Sequence, residues 1–156
     1  MQPQAAKLLT AMHLHDILSP SVFMVLYSSV AATFRSAEQA SYAAANSALD
    51  ALAERWVQAG ECALSIQWGA WSDVGMAVRS HAVSRIEQSG YGLLDNESGI
   101  SPLARLLQSR SRGVIFASPL AWQKLSSFSP RLSSFITTMV PPPVPSSDSQ
   151  VPGSVA

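Results

Sequence analysis

The sequence contains few of the features that most directly reveal a binding chemistry. It has a single cysteine, Cys62, so an internal disulfide is excluded, and no Cys or His residues have the spacing of zinc ligands. Ten Lys and Arg residues balance ten Asp and Glu residues, and the basic ones are scattered along the chain. This balance argues against nucleic-acid binding, which usually needs a basic surface. One cysteine also fits a reducing compartment, and we expect a cytoplasmic protein.

Long apolar runs and glycine-rich turns are absent as well. No stretch approaches the roughly 18 apolar residues of a transmembrane helix, and the first residues lack the apolar core of a secretory signal, so we expect no membrane association. The eight glycines never fall in the pattern G-x-G-x-x-G. A dinucleotide-binding α/β domain normally carries that turn after its first strand. The sequence therefore looks like an α/β domain entered midway, without the N-terminal dinucleotide-binding strands.

The composition is that of a folded domain followed by a different kind of segment. Of the 156 residues, 47% are hydrophobic and 13% are charged, which is sufficient for a hydrophobic core. Six of the ten prolines lie at or beyond Pro130, mixed with serine. Such a composition is typical of a linker. We therefore predict one domain over residues 1–129 and a linker or disordered tail over 130–156.

The hydrophobic pattern predicts alternating helices and strands. Residues 4–18 have a helical period, with Leu8, Met12 and Ile17 expected on one apolar face. A short apolar run over 22–28 predicts a buried strand, and residues 42–59 are dense in strong helix formers. A second strand is predicted over 63–68, beyond a glycine at the expected helix end. Strand, helix and strand in this order indicate a βαβ unit and a parallel sheet.

The remaining elements are predicted from weaker patterns. Residues 77–88 have a helical composition, and the leucines and isoleucine of residues 100–107 form a clearer helical face. GVIFA, at 113–117, predicts a third strand. The expected fold is therefore α/β, a partial Rossmann-like parallel sheet with flanking helices.

Three ordered blocks carry a resemblance to a known family. Residues 28–56, SSVAATFRSAEQASYAAANSALDALAERW, resemble the active-site segment of polyketide synthase ketoreductases, a branch of the short-chain dehydrogenase/reductase superfamily. The family pattern is a Ser-Ser pair, then Gly-Gln-x-x-Tyr, Ala-Ala-Ala-Asn and Leu-Asp-Ala-Leu-Ala. SIQWGAWSDVGMA, at 65–77, resembles its Ser-Ile-x-Trp-Gly-x-Trp and Gly-Met-Ala blocks. AAKLLTAMHLH, at 5–15, resembles the helix that bears its catalytic lysine.

The resemblance implies a catalytic set of Ser29, Tyr42, Asn46 and Lys7. Reduction of a ketone builds negative charge on the carbonyl oxygen, so the site needs a proton donor and hydrogen bonds to that oxygen. Tyr42 is the expected acid, and Lys7 would stabilise its phenolate form and bind the cofactor ribose. Ser29 would hold the carbonyl. Asn46, one helical turn after Tyr42, would bond Lys7 or a relay water.

The resemblance implies NADPH as the cofactor. This assignment depends on the resemblance alone, because no residue of this chain distinguishes NADPH from NADH. The segment after the second strand is expected to line the nicotinamide, since glycines there permit close approach. The residues assigned to cofactor binding are Tyr42, Lys7, Gly69, Ala70, Trp71, Gly75 and Met76.

Simpler interpretations exist for several of these residues. A lone lysine on an amphipathic helix is normally solvated, and Trp71 and Gly69 fit a core or a turn equally well. Asp50 and Glu54 precede Arg55 and suggest a solvated helical face. The three histidines show no pattern of partners.

The sequence also departs from the family pattern near the active-site segment. Arg35 and Glu38 stand where glycine is usual, and Phe34 lies eight residues before Tyr42, where one stereochemical class often has tryptophan. The diagnostic motif of the other class has no counterpart in the sequence, so stereochemistry stays open.

The resemblance implies NADPH-dependent reduction of a β-ketoacyl thioester tethered to an acyl carrier protein, within a larger synthase. The expected partners are the carrier domain, the missing N-terminal half of the ketoreductase and other synthase domains, with no nucleic acid and no membrane. Two alternatives stay open at this point. One is a non-catalytic ketoreductase remnant with a structural or docking role, and the other is a free-standing short-chain reductase.

Overall fold

A computed structural model describes residues 3–19, 21–34, 40–72, 90–121 and 124 of the chain. The helices are α1 (Pro3–Ile17), α2 (Ala40–Gln58) and α3 (Asn96–Gln108), and a 3₁₀ turn spans Val30–Ala32. The strands are β1 (Met24–Ser29), β2 (Ala63–Trp68), β3 (Ala70–Trp71), β4 (Leu93–Leu94) and β5 (Gly113–Ala117). No helix within these ranges is both long and apolar enough to cross a bilayer.

Three parallel strands form the main sheet, in the order β1–β2–β5. Met24 to Ser29 pair in register with Ala63 to Trp68, and α2 makes the crossover between these two strands. The predicted βαβ unit and parallel sheet are confirmed. The strands predicted over 63–68 and 113–117 are β2 and β5, and both have the predicted bounds. The short parallel pair β3–β4 was not predicted, because two-residue strands leave no periodic signal. Among the described residues, β1 pairs on one side only.

The two faces of the sheet differ because side chains alternate along each strand. On β2, Leu64, Ile66 and Trp68 point to one face and pack with Leu94 and residues of α3. Ala63 points to the other face and joins the core beneath α1 and α2. Every residue of β2 is buried, as a central parallel strand requires.

Helix α2 is the element that covers the second face. Leu49, Ala53 and Trp56 form its buried apolar stripe against the sheet, and Leu52 packs beside them partly buried. The chain leaves the helix at Gly60, which has a φ of 87°. Only glycine adopts that conformation without cost, so Gly60 is the C-terminal cap that the sequence predicted.

Helix α1 packs less deeply than the sequence pattern suggests. Ala11 is its buried residue, at 5% exposure, whereas Met12 is 42% exposed and Ile17 is 77% exposed. The predicted apolar face with Ile17 is therefore wrong. The small side chain of Ala11 permits close contact with α2, and the larger residues lie to either side of that line.

Two predictions fall outside the described residues. The helix predicted over 77–88 and the tail predicted over 130–156 both lie there, as do Arg35 and Glu38. The boundary between domain and tail therefore stays a prediction.

Candidate active site

The candidate site lies at the carboxyl end of β1, where the strand meets the beginning of α2. Ser28 and Ser29 are the last residues of β1. The Ser29 side chain caps the 3₁₀ turn, because its Oγ accepts a hydrogen bond of 3.3 Å from the backbone N–H of Ala31. The carboxyl ends of parallel strands are where such sheets place ligands.

Tyr42 and Asn46 lie one turn apart near the start of α2. Asn46 is fully buried, and its Nδ2 donates a hydrogen bond of 2.8 Å to the backbone oxygen of Tyr42. The Ser28 hydroxyl donates to the backbone oxygen of Asn46 at 3.2 Å. These bonds satisfy polar groups that would otherwise be buried without partners, and they fix the first turns of α2 against β1.

Lys7 reaches this point from α1. Its Nζ donates to Asn46 Oδ1 at 3.1 Å and to the backbone oxygen of Tyr27 at 2.9 Å. The same nitrogen lies 5.9 Å from the centre of the Tyr42 ring. An ammonium has three donors, so these two bonds leave one for a further acceptor beside Tyr42. The structure thus brings Lys7, Tyr42 and Asn46 together as predicted, although their catalytic roles stay a prediction.

Ser29 occupies the same edge of the sheet. Within the described part of the chain no hydrogen bond joins its hydroxyl group to that of Tyr42. The Ser29 oxygen accepts from Ala31, so its own proton stays available to donate.

A buried polar network beside the site was not predicted. Asp50 of α2 is only 8% exposed, and its carboxylate accepts from Ser65 Oγ at 2.6 Å and from Gln67 Nε2 at 2.8 Å. Gln67 Oε1 in turn accepts from Thr33 Oγ1 at 2.8 Å. The expectation that Asp50 lies on a solvated face is wrong, because that position faces β2.

The residues predicted to line the cofactor have packing roles in the described part of the site. A Cβ on Gly69 would lie 2.3 Å from Ser118 Oγ, so glycine permits the close approach of the segment after β5. Trp71 of β3 contacts Gly99 of α3 in the same manner, since a Cβ there would lie 2.1 Å from the indole ring. Ala70 forms the other half of β3, while Gly75 and Met76 lie outside the described residues.

Aromatic rings lie on both faces at the same end of the sheet: Trp68 is on the α3 face, and Phe116, which pairs with Gln67 in the strand register, is on the α2 face. The Trp68 ring lies 5.8 Å from that of Tyr27 and 5.5 Å from that of Trp71. The indole N–H of Trp68 is buried without a hydrogen-bond partner in the described structure. Phe34 meets Tyr91 and Phe116 edge-on at 5.6 Å and 5.5 Å, which connects the turn after Ser29 to β5.

His15 has partners that the sequence pattern did not reveal. Its ring stacks on Trp56 at 4.3 Å, and its Nε2 lies 2.6 Å from Glu61 Oε2. This contact fastens the end of α1 to α2 and to the segment before β2. No group of three or more potential metal ligands occurs within the described ranges.

The fold and the grouping of Lys7, Tyr42 and Asn46 define a class: α/β proteins with a partial Rossmann-like sheet, of the short-chain dehydrogenase/reductase kind. Residues 1–73 match the KR domain family. Together with the relatives and structures below, this match identifies the chain as part of a ketoreductase domain of the modular polyketide synthase type.

Relatives and solved structures agree with this identification. Polyketide synthase GfsA of Streptomyces halstedii is 36% identical over 125 residues, which are 78% of this chain and 2% of that protein. Phthioceranic/hydroxyphthioceranic acid synthase of Mycobacterium tuberculosis is 39% identical over 67% of this chain and 5% of its own length. An A-type ketoreductase from a modular polyketide synthase superposes with a TM-score of 0.72 and 34% identity, covering 80% of this chain and 27% of that one. The first-module ketoreductase of phoslactomycin biosynthesis from a Streptomyces species gives 0.73 and 30%, over 81% and 30% of the two chains. This chain thus spans less than a third of each of these two solved ketoreductases.

Proposed function

We propose that this chain carries the catalytic residues of an NADPH-dependent ketoreductase that reduces a carrier-bound β-ketoacyl thioester to a β-hydroxyacyl thioester in polyketide synthesis. The observation that supports this most strongly is the position of Lys7. Its Nζ bridges the Tyr27 backbone oxygen and Asn46 Oδ1 beside the Tyr42 ring. Although Lys7 is exposed, two acceptors hold its ammonium beside Tyr42, where it can favour the phenolate form.

The proposed chemistry divides the work among three side chains. Tyr42 donates its phenolic proton to the carbonyl oxygen as negative charge develops there. The Ser29 hydroxyl donates a second hydrogen bond to that oxygen, and two aligned donors stabilise an oxyanion far better than they stabilise a ketone. Lys7 stabilises the phenolate that Tyr42 leaves behind, because an ammonium favours a nearby anion. Asn46 holds the ammonium in place.

The donors in this site fit the nicotinamide end of NADPH. When bound, the cofactor supplies the hydride. The remaining N–H of Lys7 and the hydroxyl of Tyr42 would hold the ribose, and the segment from Gly69 to Trp71 with Gly75 and Met76 would border the ring. The pyrophosphate has no glycine-rich cradle in this sequence. We therefore place only the reacting end of the cofactor on this chain, and the carrier domain and other synthase domains as its partners.

Tyr42→Phe in the native polypeptide that carries this chain tests the proposal. We expect consumption of NADPH with a β-ketoacyl thioester to fall at least about 100-fold, because the proton donor is lost. Tyr91→Phe removes a hydroxyl from another partly buried tyrosine and is the matched control. Unchanged turnover in Tyr42→Phe would rule out the catalytic assignment.

Arg35 and Glu38, charged residues where the family pattern has glycine, favour a second candidate, a non-catalytic remnant with a structural or docking role. The chain purified alone is expected to give negligible turnover under either proposal; robust turnover would exclude the remnant and contradict the placement of only the reacting end of the cofactor on this chain. Tyr42→Phe in the native polypeptide separates them, since a remnant would be indifferent to it. A free-standing reductase would instead reduce free ketones as well as carrier-bound thioesters.

A further inference from the structure

We propose that Asp50, Gln67 and Thr33 act as positioning residues that hold Ser29 at the catalytic site, an inference that rests on the proposed function. The three side chains form one line of hydrogen bonds from α2 through β2 to the turn after β1. Neither the family resemblance nor the catalytic set assigns a role to Gln67 or Thr33.

The first member of the line, Asp50, is a carboxylate buried with neutral partners. Its two oxygens accept from Ser65 and Gln67, and no cation lies within ion-pair distance of it among the described residues. Burial of a charged group is costly unless every oxygen is hydrogen-bonded. A leucine would fill this part of the helix–sheet contact at lower cost. A carboxylate here therefore needs a reason other than packing.

The property that a carboxylate provides is a fixed direction of hydrogen bonding. An ionised carboxylate only accepts, so the amide nitrogen of Gln67 must face Asp50. The amide oxygen of Gln67 then points the other way, and it accepts from Thr33 Oγ1 at 2.8 Å. Since Gln67 is only 7% exposed, water competes little with this arrangement. Asp50 thus determines which atom Gln67 presents to the turn.

Thr33 ends the same turn that Ser29 begins. Ser29 caps Val30–Ala32, and the backbone N–H of Thr33 donates to the Val30 oxygen at 3.1 Å. A second and longer bond, from Ser47 Oγ to the Ala32 oxygen at 3.4 Å, reaches the turn from α2. The turn is therefore fastened to β2 chiefly through Thr33. Strand pairing with Trp68 holds the Ser29 backbone, and the Ala31 N–H of this turn holds its Oγ. Displacement of the turn therefore redirects the hydroxyl of a proposed catalytic donor, and about 1 Å of misplacement can reduce a rate about 100-fold.

A double-mutant cycle with Thr33→Val and Ser29→Ala in the native polypeptide tests this inference. Thr33→Val keeps the shape and removes the donor to Gln67. We expect kcat to fall about tenfold, with KM for NADPH unchanged, because the Ser29 hydroxyl shifts while the cofactor site does not. In the Ser29→Ala background the same change should have no further effect, since its target is already absent. Thr33→Ser should restore kcat, and Thr10→Val, at an exposed threonine of α1, is the matched control.

Equal losses in both backgrounds would overturn the positioning role, as would unchanged kcat with a lowered unfolding temperature. Tyr42→Phe in the same assay keeps the two proposals apart. If it retains activity, the proposed function fails; if it is inactive while the cycle is additive, only the positioning role fails. Amide hydrogen exchange on the purified chain gives a readout without turnover. Thr33→Val should speed exchange at Thr33 and Phe34 at least about tenfold relative to α3, and unchanged exchange would contradict the tether.

Discussion

The two faces of the three-stranded sheet are built from different chemistry. The face beneath α1 and α2 combines apolar contacts with a set of buried polar side chains. The opposite face, beneath α3, has a buried cluster of Leu64, Ile66, Trp68 and Leu94. The buried polar residues are Ser28, Asn46, Asp50, Ser65 and Gln67.

The two faces differ even along a single strand. The difference therefore comes from which side chains alternate along the strand, because the backbone is the same for both faces. Ser65 and Gln67 alternate with Leu64, Ile66 and Trp68 along β2, and all five are buried. Apolar burial stabilises without specifying direction, whereas hydrogen bonds hold groups at defined angles. We infer that both faces supply stability through their apolar clusters, and that the α2 face alone adds a polar network that fixes geometry at the site.

Leu64→Ala tests the apolar α3 face and should have the largest effect on stability. Leu64 is fully buried, and its truncation should lower the free energy of unfolding by about 3 kcal/mol. The measurement is urea denaturation of the purified chain, with Leu107→Ala, at an exposed site on α3, as the control. If both variants lose the same small amount, the α3 face is not a core.

Asp50→Ala tests the polar network of the α2 face and should cost less, about 2 kcal/mol, because two buried donors lose their acceptor. Asp50→Asn retains an acceptor for Ser65 and should recover part of that loss. Denaturation of both variants beside Leu64→Ala gives the order directly. An Asp50→Ala variant as stable as the natural chain would show that the network contributes no net stability, in which case only the exchange and kinetic readouts bear on positioning.

The sequence predicts part of the polar α2 face. The βαβ unit followed from the change of hydrophobic period, and the resemblance placed Lys7, Tyr42 and Asn46 in one site. The prediction of a solvated face for Asp50 is wrong because it depends on Glu54 and Arg55, which are charged neighbours on the same helix. The spacing of Asp50 held the signal, since positions 42, 46 and 50 follow each other at one helical turn and share a face. Polar residues at 65 and 67 in an otherwise buried strand held the complementary signal.

Other features had no signal in the sequence. The Gly69 and Gly99 contacts depend on which distant side chain arrives at a glycine, which a one-dimensional pattern does not contain. The exposure of Ile17 likewise depends on how closely α1 approaches α2, and Ala11 sets that distance. The contacts of His15 with Trp56 and Glu61 arise because α1 packs onto α2, and the spacing of residues along the sequence does not reveal them.

His15 allows the same comparison of apolar and polar contributions at one residue. Its ring stacks on Trp56 and also meets Glu61, a partly exposed pair from which we expect little stability. His15→Ala should therefore lower the free energy of unfolding by about 1 kcal/mol, and His15→Phe should restore most of it. Denaturation of both variants with Glu61→Gln checks this. A large loss in Glu61→Gln and no recovery in His15→Phe would assign the contact to the ion pair instead.

Tyr91 gives the smallest predicted effect, and it tests how far the packing around Phe34 shields the Tyr91 hydroxyl from water. Burial raises the pKa of Tyr91 to about 12 from the ordinary 10.0. As the pH rises past 10, the unfolded chain releases this proton first, while the folded chain keeps it until about pH 12. The stability that the buried neutral phenol contributes is therefore fully present below pH 10 and is lost as the pH rises towards 12. Tyr91 is only partly buried, so the loss should stay below about 1 kcal/mol.

Tyr91→Phe cannot ionise and should lose less stability over this window than the natural chain. Parallel denaturation curves at pH 9 to about 12 for the two proteins measure the difference, and identical pH profiles would mean that the Tyr91 hydroxyl is solvated in the folded state.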